Sequence, residues 1–209
     1  MKHWILMGDI VGSSDSDSIS LQKEFSRLIE RINKEFKSQL KSPLTITLGD
    51  EFQGVVADLQ TSAQIIVKIE EEKWEMDYPI LLRYSLGIGE ISTPINSEIA
   101  FGMLGEGLAD VRNSLIELKD KDERIVLTGG IPDKEKLSLS LDLLLEKQEE
   151  WRWKDREVIS GYFKNKDYKA TADDMKKDKS LIWRRFKSLN FDSYEKRKRL
   201  LMLIIGNEN

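Results

Sequence analysis

Thr45-Ile46-Thr47-Leu48-Gly49-Asp50-Glu51-Phe52-Gln53-Gly54 places a turn dipeptide between two apolar runs. Leu44 to Leu48 and Glu51 to Ala57 therefore read as two short strands of a hairpin, with Gly49-Asp50 as the turn. Upstream, His3 to Gly8 is a short apolar run ending in Gly-Asp, which reads as a buried strand. From Ser20 the residues Leu21, Phe25, Leu28, Ile29, Ile32, Phe36 and Leu40 keep the spacing of one helical face. Downstream, Leu59, Ala63, Ile66 and Val67 begin a second helix running to about Trp74, and Pro79 precedes a strand from Ile80 to Ile88 closed by Gly87 and Gly89. A third helix carries Leu108, Val111, Leu115 and Ile116, and a strand from Arg124 to Thr128 ends at Gly129-Gly130. The order is β-α-β-β-α-β with extensions, which predicts an α+β, ferredoxin-like split βαβ sheet with helices on one face.

The chain has 209 residues, enough for one large domain or two small ones. Hydrophobic residues make up 40% and charged residues 33%, a globular balance. The longest apolar runs, such as Leu200 to Ile205, fall far short of the ~20 residues that cross a bilayer, so no membrane partner is expected. Asp9 arrives before any stretch of signal-peptide length, and the start reads as mature. The absence of cysteine excludes disulfides, thiolate metal sites and thiol nucleophiles, and fits a cytoplasmic chain. The single histidine, His3, leaves no Ser-His-Asp triad to build and is assigned no role.

Charge divides the chain. Residues 151–209 carry 16 Lys and Arg against 9 Asp and Glu, leaving 17 and 28 for residues 1–150. Opposed halves suggest two modules, 1–150 and 151–209, with different partners, the basic one a candidate for a polyanion or else a solvated basic surface. No Pro/Gly/Ser-rich linker separates them, so close packing is expected near Gln148-Glu149-Glu150-Trp151. Trp151, Trp153 and Trp183 read as packing residues. Ser13-Ser14-Asp15-Ser16-Asp17-Ser18 reads as a loop with Ser18 or Ser20 as helix caps, and Glu70-Glu71-Glu72 as a solvated helix end.

Asp9, ending the first strand, and Asp50, in the hairpin, would lie at one sheet edge. Two carboxylates beside backbone carbonyls suit Mg²⁺ or Mn²⁺, with Glu51 as a third ligand, although an aspartate in a Gly-Asp turn also serves simply as a turn former. Gly8-Asp9-Ile10-Val11-Gly12, Leu48-Gly49-Asp50-Glu51-Phe52 and Leu82 to Glu90 resemble, in order and rough spacing, the motifs of class III nucleotide cyclases, and the second also resembles the GGDEF motif of diguanylate cyclases. The string from Thr45 to Gly54 is more specifically similar to the SatD family, bacterial proteins of poorly defined function. The resemblance covers most of residues 1–130. It implies that Asp9 and Asp50 match the two metal-binding aspartates of cyclases. It also implies that Ile10, Val11 and Gly12, with Gly49, lie near the phosphates of a nucleotide or related small molecule, which Arg112 could reach. In that chemistry two ions activate the ribose 3′-hydroxyl, and an active cyclase would require a homodimer. This chain departs from that pattern. The lysine that selects a purine, four residues before the second aspartate, is Ile46 here. Gly105-Glu106-Gly107-Leu108-Ala109 replaces the later Gly-Asp-Thr-Val-Asn-like motif, with Arg112 one residue out of step and Asn113 nearby. These departures oppose cyclisation and leave metal-nucleotide binding as the expectation.

In the tail, Asp155 to Asn165 carries Val158, Ile159, Tyr162 and Phe163 at helical spacing, and two short helices follow, Tyr168 to Lys176 and Ser180 to Leu189. The interval between Ala172 and Ile182 predicts a small all-α, helix-turn-helix-like domain with Asp178 capping the second helix. Lys176 stands where the turn usually has glycine, and Lys177 where an apolar residue usually follows. Arg184, Arg185 and Lys187 would face double-stranded DNA, and Lys196-Arg197-Lys198-Arg199 on a final helix would contact phosphates. The alternative is a helical tail that packs on the sheet or makes a dimer. The whole reads as a regulator coupling metal-nucleotide sensing to DNA, with an active cyclase or a non-catalytic scaffold as the alternatives.

Overall fold

The computed structural model describes residues 1–12 and 18–206. Its sheet has five strands: β1 (Lys2–Ile10), β2 (Leu40–Ile46), β3 (Glu51–Val56), β4 (Leu82–Glu90) and β5 (Ile125–Thr128). They lie in the order β2-β3-β1-β4-β5. The first four are antiparallel neighbours, as a split βαβ unit requires, while β5 joins the β4 edge in parallel. The described residues also form eight α-helices: α1 (Ser18–Glu35), α2 (Leu59–Glu72), α3 (Glu106–Glu117), α4 (Lys134–Glu149), α5 (Arg156–Asn165), α6 (Tyr168–Asp174), α7 (Lys179–Leu189) and α8 (Phe191–Gly206).

Strand alternation divides β1 between two cores. Leu6 and Ile10 face the side covered by α1 and α2, together with Phe52, Val56 and Tyr84. Ile5 and Met7 face the other side, with Val55 and the α3 residues Leu108, Val111 and Leu115. Helices therefore cover both faces, not one as the element order implied. The crossover from β4 to the parallel β5 must pass over one face, and α3 does so on the face opposite α1 and α2. Its close approach depends on paired glycines, since a Cβ at Gly89 would sit 2.3 Å from the Gly107 Cα.

Two local boundaries also differ from the apolar spacing. α1 ends at Glu35, and Leu40 opens β2 rather than extending the helix. Asn33 holds that return, its Nδ2 donating to the Leu44 carbonyl at 2.7 Å and its Oδ1 accepting from the Leu44 N–H at 2.8 Å. Ser20 lies within α1 rather than at its cap, and residues 13–17 of the serine-aspartate run lie outside the described residues.

The apolar core runs without interruption from the sheet into the tail. α4 buries Leu137, Leu141, Leu144 and Leu145, and Trp151 follows it, 6% exposed. The Trp151 indole meets Trp74, Phe163, Phe191 and Tyr194, and its Nε1 donates to the Leu189 carbonyl at 2.8 Å. Trp153 stacks on Trp74. Both therefore pack as expected, whereas Trp183 is 46% exposed.

The run Glu70-Glu71-Glu72 is not a solvated helix end. Glu70 is fully buried, and its carboxylate accepts from Lys73 Nζ at 2.6 Å, Arg124 Nη2 at 2.5 Å and Tyr84 Oη at 2.7 Å. Arg124 also donates to the Leu82 carbonyl at 2.7 Å and to Glu149 at 3.1 Å. Glu71 accepts from Tyr194 Oη at 2.8 Å and Lys198 Nζ at 2.7 Å, tying α8 to α2. Helical periodicity hid this, because the face of α2 that looks polar is covered by α5, α8 and the Arg124 turn.

Two stability predictions follow. Burial alone would raise the Glu70 carboxyl, but Arg124 and Lys73 hold it below its ordinary 4.5. Its stabilisation is thus complete above 4.5 and lost as pH falls through the lower folded value. Glu70→Ala, which strands Arg124 and Lys73, should cost about 3–5 kcal/mol in urea unfolding at pH 7. A loss under about 1 kcal/mol would show the network to be dispensable. Asp142 behaves oppositely: burial, then Glu123 and Glu146, push it up to about 6. Stability referable to Asp142 is full below its unfolded value and lost as pH rises through about 6. Asp142→Asn should therefore raise the Tm at pH 8 more than at pH 4.

Candidate functional site

β1 and the β2–β3 turn meet at one end of the sheet. The Ile10 N–H donates to the Asp50 carbonyl at 2.9 Å and the Val11 N–H to the Leu81 carbonyl at 2.8 Å. Asp9 is in register with Glu51 on one side and Arg83 on the other. The structure therefore brings Asp9, Asp50 and Glu51 to one sheet end, with Gly49 turning the chain at φ +89° and Gly12 at φ +69°. The amides of Ile10 and Val11 are engaged in the sheet and are not free to cradle a phosphate.

The side chains are organised around cations already present in the chain. Asp9 is 2% exposed, and Arg83 grips it with two contacts, Nε to Oδ1 at 3.0 Å and Nη2 to Oδ2 at 3.2 Å. Lys119 Nζ stands 3.2 Å from the same Oδ2. Glu51, also buried, accepts from Arg112 Nη2 at 2.8 Å and from Thr47 Oγ1 at 3.3 Å. Arg112 projects from α3 and Lys119 from the turn that follows it, so the segment on the second face supplies two of the three cations. Asp9 and Glu51 belong to the candidate set read from the sequence, and Arg112 to its ligand side. Arg83 and Lys119 were missed, because their pairing with Asp9 depends on the β1–β4 register and the docking of α3.

This arrangement does not fit Mg²⁺ or Mn²⁺. A hard divalent ion needs about six oxygen ligands with open lone pairs, whereas both Asp9 oxygens carry nitrogen donors. Among the described residues no group of three or more His, Cys, Asp or Glu is placed to hold a metal. The expected cofactor therefore finds no donor set here, for the physical reason that guanidinium and ammonium groups already balance the carboxylates.

The basic candidates of the tail separate into two sets. α6 ends at Asp174, Lys176 takes the left-handed turn conformation at φ +53°, and the Asp178 carboxylate caps α7 through the N–H groups of Ser180 at 2.9 Å and Leu181 at 3.1 Å. Arg184, Lys187, Lys196 and Arg199 are exposed. Arg185 turns inward to the Asp155 carboxylate, Lys198 pairs with Glu71, and Arg197 folds back on Ser193. Helical periodicity could not separate these sets, since partners such as Asp155 and Glu71 lie far away in sequence.

Removing Arg83 leaves a buried Asp9 served by Lys119 alone. Arg83→Ala should cost about 3 kcal/mol in urea unfolding, and the added Asp9→Asn substitution should recover part of the loss. In the unmodified protein, calorimetry with millimolar Mn²⁺ alone should give no Asp9-dependent heat. Saturable Mn²⁺ binding abolished by Asp9→Asn would overturn the pairing as the resting arrangement.

No curated protein matches this chain. Among solved structures it is similar to a bacterial light-regulated adenylyl cyclase, at 12% identity over 61% of this chain and 76% of that one, with a TM-score of 0.45. It is also similar to the catalytic core of a rhodopsin-guanylyl cyclase with converted specificity, in complex with ATPαS, at 17% identity over 61% and 79%, with a TM-score of 0.39. A third is the guanylyl cyclase domain of the RhoGC fusion protein from the aquatic fungus Blastocladiella emersonii, at 14% identity over 61% and 81%, with a TM-score of 0.38. Residues 3–204, nearly the whole chain, match the SatD family, and the protein belongs to that family.

Proposed function

We propose that this protein is a DNA-binding regulator in which residues 151–209 contact double-stranded DNA and residues 1–150 form a non-cyclising, cyclase-like sheet unit. The observation that carries this reading is the exposed face of α7. That helix buries only Ile182 and Leu189 and presents Ser180, Leu181, Arg184, Lys187 and Ser188 to solvent. Such a surface is uneconomical for a packing helix, and it supports a helix-turn-helix in which α6 and α7 are joined through Lys176 and Asp178. Arg184 is placed for base edges or phosphates, and Lys187, Lys196 and Arg199 for phosphates. Arg185, Arg197 and Lys198 have structural roles in this reading. Helix-turn-helix units commonly act as two-fold dimers on paired half-sites, so a homodimer is part of the proposal.

Residues 1–150 take the ligand-responsive role in this reading. A nucleotide or related phosphate compound would meet Arg112 and Lys119, whose side chains are 40% and 47% exposed at the sheet end. The metal-dependent form of the idea is set aside, because Asp9 already holds Arg83 and Lys119. Ile46, where purine-selecting cyclases carry lysine, and the same pairing oppose cyclisation.

The test is fluorescence anisotropy on a labelled duplex of random sequence across a salt series. Binding should weaken steeply with salt. Arg184→Ala with Lys187→Ala should reduce the salt slope by about 2 without lowering the Tm. Absence of duplex binding at low salt, or an unchanged slope, would leave the tail as a packing or dimer element. Incubation with ATP or GTP and Mn²⁺ should yield no cyclic product by mass spectrometry, and formation of one would restore the enzyme reading.

A further inference from the structure

A cavity of about 350 Å³ opens within the helical tail, between the end of α5, the start of α6, α7 and the start of α8. Its volume lies at the lower end of the range of small-molecule sites. Three of its aromatic walls are committed to one another: Tyr162 and Phe191 are stacked with centroids 3.8 Å apart, and Phe186 meets both edge-on. Trp183 is different. It lines the same space, is 46% exposed, stands outside the apolar core and makes no ring contact among the described residues. A large aromatic surface without a partner is available to a planar ring.

The charged groups of the lining divide in the same way. Lys166 is held by Glu195 at 2.9 Å and lies 4.5 Å over the Tyr162 ring. Asp167 caps α6, its Oδ1 accepting from the Ala170 N–H at 2.9 Å. Lys187 and Asp192 are exposed, and among the described residues neither side chain enters an ion pair or a hydrogen bond, with each other or with any third group. Two ammonium groups and two carboxylates thus face one small space. A phosphate or other polyanion entering it meets both carboxylates, and a simple cation meets both ammonium groups. A molecule carrying one charge of each sign satisfies the two unpaired groups together.

We infer that this cavity binds a zwitterionic aromatic α-amino acid, with its ring against Trp183, its carboxylate on Lys187 Nζ and its ammonium group on the Asp192 carboxylate. The bound carboxylate occupies the same lysine that faces DNA phosphates in the proposed function, so the two ligands compete for it. Amino-acid binding itself requires no DNA.

The test is calorimetry of the full chain, without DNA, with L-tryptophan, L-tyrosine and L-phenylalanine. Three controls each lack one element: tryptamine has no carboxylate, indole-3-propionate no ammonium group and glycine no ring. At least one aromatic amino acid should bind saturably, about tenfold or more tighter than every control. Lys187→Ala should weaken that amino acid about tenfold and leave tryptamine within about twofold. Asp192→Asn should weaken it by a similar factor and leave indole-3-propionate within about twofold. Both positions are exposed, so the Tm of each variant should match that of the unmodified chain. No saturable binding by any of the three amino acids would overturn the inference. Equal affinity for tryptamine or indole-3-propionate would overturn it too, as would unchanged amino-acid affinity in either variant.

Discussion

Glu70 is the point at which otherwise separate parts of the chain are obliged to agree. A fully buried carboxylate is tolerable only if its oxygens are paired, and here the partners come from the end of α2, from β4 and from the turn before β5. Arg124, the cation shared with Glu149, extends the same constraint to the C-terminal end of α4. Gln148 and Trp74 are joined one position away, and Trp151 follows at once. The docking of α4, the position of the parallel strand and the path into the tail thus rest on satisfying one charge. Such a network contributes little net stability compared with apolar packing, but any arrangement that leaves it incomplete is strongly disfavoured.

The sheet end follows the same logic with a different outcome. Antiparallel pairing sets Asp9 beside Glu51 and Arg83, and α3 brings Arg112 and Lys119 over them. The carboxylates at this end of the sheet thus carry counterions supplied by the chain itself. The chemistry of such a site is determined by which side chains face the carboxylates, and the fold alone does not decide it.

The tail illustrates how exposure assigns roles that charge cannot. Seven basic residues look equivalent in sequence, yet Arg185 and Lys198 hold the structure together through Asp155 and Glu71, while Arg184, Lys187, Lys196 and Arg199 face solvent. Lys176 occupies the left-handed turn position that glycine usually takes, so the turn geometry survives a residue that opposes it. Tertiary contacts of α6 and α7 override the local preference.

The order of strands and helices was legible because it depends on periodicity, and periodicity is local: the hairpin around Gly49-Asp50, the α1 stripe from Leu21 to Ile32 and the alternation of β1 all report directly on which side of an element is apolar. So were the meeting of Asp9 and Asp50 at one sheet end and the cap at Asp178, which need only neighbouring residues and one pairing. The covering of both sheet faces, the burial of Glu70, the capture of Asp9 by Arg83 and Lys119 and the bond between Trp74 and Gln148 were not legible. Each requires residues distant in sequence, such as Glu70 with Arg124 or Trp74 with Gln148, to arrive at one place. By itself the sequence determined which residues lie on which face of each element. Only the tertiary structure decided which faces meet, because charge pairing and burial depend on distances in space that spacing along the chain does not contain.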